Sequence, residues 1–215
     1  MKTLIVLIFL AAAFPLRAQN DPYVSKMKET MQAMGQCQTV DDYQKVANTF
    51  ETIALAEKNK WLPYYYCALI YGIMSMQAAD GEVKDLYAAR AEQAIDSGLA
   101  VRPDESELYV LRAFTCYARI QVNPMERGMQ YMTLAEQALT KATELNSDNP
   151  RIYYLRGQTV YNMPAEFGGG SQAALPLLQL AKEKYDKEVP GDELVPRWGK
   201  DDVIRLLEQI SAPKE

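Results

Sequence analysis

Apolar side chains recur along this chain at steps of three and four residues. Val24, Met27, Met31 and Met34 open the pattern, and Val203, Leu207 and Ile210 close it. Between them the series Val46, Phe50, Ile53, Ala56 returns as Ala91, Ile95, Gly98, Val101 and again as Ala135, Leu139, Ala142, Leu145. A shorter version is Ala174, Leu178, Ala181. This spacing gathers apolar groups on one face of an α-helix, whereas the faces of a strand alternate at every second residue. It predicts helices over about 22–35, 41–58, 62–77, 84–101, 105–121, 127–145, 150–162, 171–187 and 201–211. No stretch carries a convincing strand pattern, so the predicted class is all-α.

The polar residues between these runs punctuate them. Thr39-Val40-Asp41-Asp42 reads as a capping box at the start of a helix. Ser171, after three glycines, is the expected N-cap of a later helix. Arg102-Pro103-Asp104 and Ser147-Asp148-Asn149-Pro150 mark turns. In three copies a Tyr follows the last apolar residue of the series by eight positions: Tyr64, Tyr109 and Tyr153. Each of these opens a second helix, with a small residue four positions on: Ala68, Ala113 and Gly157. Residues 91–113 and 135–157 align without a gap, and eight of the 23 pairs are identical. A fixed period of this size means stacked structural units.

These residues resemble the tetratricopeptide repeat over about residues 40–188. The resemblance implies a solenoid of three to four antiparallel helical hairpins with a C-terminal capping helix, in one domain spanning 19–215. It also implies a concave groove lined by the first helix of each hairpin. The period departs from the family: 44 residues against the usual 34. The surplus falls at "QAADGEVKD" and "QVNPMERGMQ", as longer helices or longer connections. The stretch "NPRIYYLRGQTVYNMPAEFGGGSQAALPLL", with "PRWGKDD" after it, resembles exported tetratricopeptide-like proteins of the Bacteroidota. Trp198 in that last stretch is expected to cover the open apolar end of the final hairpin.

The N-terminus adds a location. Lys2, the apolar run Leu4 to Phe14 and the small-residue site ending at Ala18 have the layout of a cleaved secretory signal peptide. No Cys lies near the cut, which argues against a lipoprotein anchor, so the expected place is the periplasm or the exterior. Losing Lys2 and Arg17 leaves 21 basic against 28 acidic residues, a charge of −7. An acidic chain without a basic block is a poor partner for nucleic acid or an anionic membrane. The sequence contains no His, the commonest general base and transition-metal ligand. Cys67 and Cys116 fall on apolar helical positions and read as small buried hydrophobes, and Cys37 stands apart.

Candidate sites are few. Phe167-Gly168-Gly169-Gly170-Ser171 precedes a helix, where backbone N–H groups can hold a phosphate. No Lys-Ser/Thr pair follows it, so it is read as a turn that needs positive φ. The acidic groups Asp41-Asp42, Asp104-Glu105-Glu107 and Asp186-Glu188 are read as solvated caps. The tyrosines, 14 against 5 Phe and 2 Trp, stand out more. Counting from each anchor Tyr, positions 1, 5 and 8 share one helix face. They supply Tyr65, Phe114, Tyr117, Tyr154 and Tyr161 as candidate partner-binding residues. Tyr offers apolar area and a hydroxyl at low entropic cost. The same five side chains would equally serve as packing between neighbouring helices.

The function expected from these readings is a non-enzymatic exported scaffold that binds a protein or peptide segment in its concave face. A small-molecule binding or transporter-accessory protein is the alternative, and a pocket lined by Tyr with Arg112 or Arg156 would favour it. No nucleophile–base pair, metal set or cofactor motif is apparent, so no enzymatic activity and no cofactor are expected.

Overall fold

In the computed structural model, residues 21–189 and 191–212 are described. The segment read as a signal peptide lies outside them. The described residues form nine α-helices and no strand: α1 (Pro22–Met34), α2 (Val40–Ala56), α3 (Leu62–Gln77), α4 (Gly81–Val101), α5 (Ser106–Ile120), α6 (Pro124–Leu145), α7 (Pro150–Asn162), α8 (Ser171–Lys187) and α9 (Lys200–Ser211). A 3₁₀ turn spans Ala165–Phe167.

Most boundaries are fixed by local polar chemistry. Thr39 and Asp42 complete the capping box of α2, each side chain accepting from the other's backbone N–H. Asn149 accepts from the Arg151 N–H, with Pro150 at the first position of α7. Of the two readings of the repeat's surplus the structure has the longer helices: Asp80 caps α4 at Val83 N and Asn123 caps α6 at Glu126 N. Only residues 78–80 and 121–123 connect the helices. The N-cap of α8 is Gly170, not Ser171, because Gly168 and Gly170 both take positive φ and Gly170 already stands at the helix entry.

Packing is tightest within the pairs α3/α4, α5/α6 and α7/α8. The first helices of successive pairs also touch, α3 with α5 and α5 with α7, whereas α6 barely meets α7. Within a pair, the small residue after the anchor Tyr153 lets α8 close on α7. Gly157 lies against Leu178, and a Cβ there would come within 2.7 Å of it. Most of the repeated apolar series is core: Phe50, Ala91, Ile95, Ala135, Leu139, Ala142, Ala174, Leu178 and Ala181 are fully buried, whereas Val101 and Leu145 are half-buried and Ala56 is exposed. Two clusters form, one around α2–α4 and one around α5–α9, and Trp198 packs against both. No helix among the described residues is long and apolar enough to cross a membrane.

Candidate functional site

The segment joining α8 to α9 does not run around the end of the molecule. Its residues 191–199 cross the face made by α3, α5 and α7. The Tyr66 hydroxyl donates to the Leu194 carbonyl at 2.8 Å, and Leu194 is buried. Arg151 Nη2 donates to the Pro196 carbonyl at 2.5 Å. Trp198 Nε1 donates to the Tyr65 hydroxyl at 2.7 Å, and the Tyr185 hydroxyl donates to the Trp198 carbonyl at 2.9 Å. Glu193 pairs with Lys28 of α1. Trp198 therefore covers the inner helices, its ring beside Phe114 (6.4 Å) and edge-on to Tyr154 (6.1 Å), and not the open end of the last hairpin. That end is met by α9 instead, which packs on α8.

Gly199 ends the crossing. It has φ 98°, and an added Cβ would lie 2.2 Å from the Tyr185 hydroxyl and 3.2 Å from the Tyr154 ring. Gly199→Ala is expected to lower stability by about 2 kcal/mol or more, since backbone strain of this kind alone costs about 1–3 kcal/mol. Urea unfolding measures it, and an unchanged midpoint would contradict the close approach.

Beneath the segment lies a buried polar centre. Glu107 of α5 accepts from Arg151 Nη1 of α7 at 3.1 Å and from the Tyr65 hydroxyl of α3 at 3.3 Å. Arg151 Nη1 also reaches Glu188 at 2.9 Å, and its guanidinium stands over the rings of Tyr185 and Trp198. Arg151 is 1 % exposed and Glu107 9 %. Burial pushes the Glu107 carboxyl up to about 7 in spite of the guanidinium beside it. Burial opposes the charge on Arg151 as well, but Glu107, Tyr65, Tyr185 and Glu188 together more than offset this and its pKa rises. The Tyr65 hydroxyl is held well above its usual range by burial and by Glu107. Reading Glu107 as a solvated cap is thus corrected: Glu105 caps α5, and the next acidic residue turns inward.

The remaining acidic groups behave as caps and surface pairs. Asp42 is held below the usual carboxylate range by its hydrogen bond with Thr39, and Asp186 by Lys182 and Lys200. Cys67 and Cys116 are buried thiols, as their helical positions suggested.

The five candidate aromatic residues divide into two groups. Tyr65 and Tyr154 are buried beneath the crossing segment. Tyr154 takes a bond from Gln158 Nε2, and burial, with the nearby Asp202 of α9, raises the pKa of its hydroxyl. Phe114, Tyr117 and Tyr161 are half-buried along α5 and α7. Burial raises the pKa of the Tyr117 hydroxyl. Gly72 of α3 gives Phe114 its room: a Cβ would sit 3.0 Å from the ring. With the half-buried Leu206, Leu207 and Ile210 of α9, these aromatics fringe the second core cluster. Arg112 and Arg156 point to the outer helices, pairing at 2.5 Å with Asp96 and Glu136.

What these elements define is an all-helical protein with an aromatic inner face and a buried ion pair beneath a crossing segment. No family model matches the chain, and no curated protein matches it. Among solved structures the chain is similar to the HusA haemophore from Porphyromonas gingivalis, with 29 % identity and a TM-score of 0.79. The similarity covers 90 % of this chain and 94 % of that one. That neighbour is a helical protein from a member of the Bacteroidota and a haemophore rather than an enzyme.

Proposed function

We propose that this chain is an exported, non-enzymatic binding protein whose ligand is haem, taken up along the strip of Phe114, Tyr117 and Tyr161. The observation that carries the reading is similarity to a haemophore over nearly the whole of both chains. The strip suits the ligand's chemistry. A porphyrin is flat and apolar, and half-buried aromatic faces stack on such a surface. The sequence has no His, so an iron ligand from this strip would be a tyrosine oxygen, a known type of haem ligand. Tyr161, half-buried in the last turn of α7, is the candidate. The helix pairs are taken to stack as a tetratricopeptide-like solenoid with this strip on its concave side. Export follows from cleavage after Ala18.

The peptide-binding reading keeps one observation in its favour. Residues 191–199 lie across the same inner face, with a turn at 192–195, and their Leu194 and Pro196 carbonyls accept from the Tyr66 and Arg151 side chains. In this chain that part of the face is occupied from within, which leaves the strip beyond it for an outside ligand.

Absorbance titration with haem tests the proposal. A saturable shift of the Soret band is expected. Tyr117→Ala and Tyr161→Ala should each weaken binding by about 1–3 kcal/mol, as aromatic contacts at interfaces do, with helicity kept. Tyr161→Phe should alter the band shape more than the affinity if the oxygen meets the iron. The absence of any saturable change with haem would sink the reading.

A further inference from the structure

We propose that Glu107 and Arg151 form a buried, proton-sensitive clamp that holds residues 191–199, and with them Trp198, on the inner helices, so that capture on the aromatic strip depends on the clamp. The dependence of capture rests on the haem reading above; the clamp itself does not.

The geometry makes one guanidinium the hub. Arg151 joins Glu107 of α5, Glu188 at the end of α8 and the Pro196 carbonyl of the crossing segment, and lies under the Trp198 ring. Its Nε has no partner among the described residues. The segment brings Trp198 against Phe114, the inner end of the strip. Lifting the segment would remove that wall and admit water to the ion pair.

The groups that face Glu107 are Arg151 on α7, Tyr65 on α3, Glu105 at the start of α5 and Glu188 after α8. Tyr66 and Tyr185 feel its charge from α3 and α8, and Arg197 of the segment lies within range of Tyr66. Burial makes ionising Glu107 under the closed segment costly, and the nearby carboxylates of Glu105 and the exposed Glu188 add to that cost against the Arg151 guanidinium. A protonated Glu107 donates to the Tyr65 oxygen and still accepts from Arg151, and the guanidinium keeps Glu188 as its counter-ion.

The sign of the linkage follows. With the segment closed, burial raises Glu107 from 4.5 to about 7. With the segment lifted, water returns it towards its ordinary value. Closing therefore takes up a proton between those two values. The closed form is favoured below about pH 7 and weakens as pH rises through the folded pKa.

The test reads Trp198 directly. In the full chain carrying Trp61→Phe, Trp198 is the only tryptophan, and its emission should shift part of the way towards that of a solvated indole as pH rises through about 7. Glu107→Gln, an uncharged isostere, should hold the emission at its acid value throughout. Hydrogen exchange of the 192–199 amides in the unmutated chain, corrected for intrinsic pH dependence, should show the same step without any substitution. Haem should bind about tenfold tighter at pH 6 than at pH 8 in the chain with Glu107, and equally at both in Glu107→Gln. A flat Trp198 signal with unchanged exchange protection overturns the clamp. A Trp198 titration with no haem binding at either pH supports the clamp and overturns the haem reading. A Trp198 titration with equal haem affinity at both pH values overturns the dependence of capture on it.

Discussion

Arg151→Leu is expected to destabilise the protein by about 3–5 kcal/mol at pH 8, the usual cost of removing one partner of a buried ion pair. The pair sits between three helices and the crossing segment, so the loss is not confined to one contact. Glu107 would be left in an apolar surround with only the Tyr65 hydroxyl, and the Pro196 carbonyl and Glu188 would each lose a donor. The cost should shrink as pH falls. Glu107 already lies near 7 with the guanidinium beside it, so without it the carboxyl is neutral at pH 5 in the folded state. What remains at pH 5 is the loss of the bonds to Pro196 and Glu188. Urea unfolding of both chains at pH 5 and pH 8 gives the comparison. An equal loss at both values would mean that the charge of Glu107 contributes nothing.

Trp198→Ala should cost about 3 kcal/mol or more, as truncation of a large aromatic in a core does. Trp198 is half-buried and exposes part of its ring, which lowers the expected loss. Three contacts raise it again. The indole packs on both core clusters, closes over Phe114 and Tyr154, and supplies the donor for the Tyr65 hydroxyl. Trp198→Phe keeps a ring but loses the Nε1 donor, and should cost roughly 1–2 kcal/mol, mostly for the unmet Tyr65 oxygen. Melting temperatures of the three chains order these effects. If Trp198→Ala melts with the parent, the segment is not fastened to the inner helices and the clamp loses its mechanical link.

The helices were legible because their signals are local. Period, caps and small residues act within one or two turns, so the 4, 3, 3 spacing and Thr39 with Asp42 place α2 to within two residues at either end. The starts of α4 and α6 were harder to read. Gly81 and Pro124 look like breakers, yet both sit at the first helical position after a capping Asp80 or Asn123, where neither interrupts a hydrogen bond. The aromatic positions were identified, but their division into covered and open residues was not. Nothing in the spacing of Tyr65 and Tyr154 tells that a segment far along the chain will lie on them.

The buried ion pair did leave a trace. Glu107 and Arg151 are equivalent residues of the repeat, 44 apart, each two positions before its anchor Tyr. Stacking the first helices of successive hairpins brings equivalent positions together, so opposite charges there are the mark of a pair between units. The trace was masked because Glu107 follows Asp104 and Glu105 in a run that reads as a solvated cap.

By itself the sequence determined the helical class, the number of helices, most of their bounds, most of the buried apolar series and the positions of the aromatic residues. Each of these is set by short-range spacing, and the hydrophobic effect acts on that spacing whatever the wider topology. Only the tertiary structure decided the path of residues 191–199, the burial of Glu107 with Arg151, and which tyrosines stay open. Those outcomes depend on contacts between residues far apart in the chain, 133 positions in the case of Trp198 and Tyr65. Such contacts are selected by the shape of the packed inner face, which exists only once the helices have been brought together.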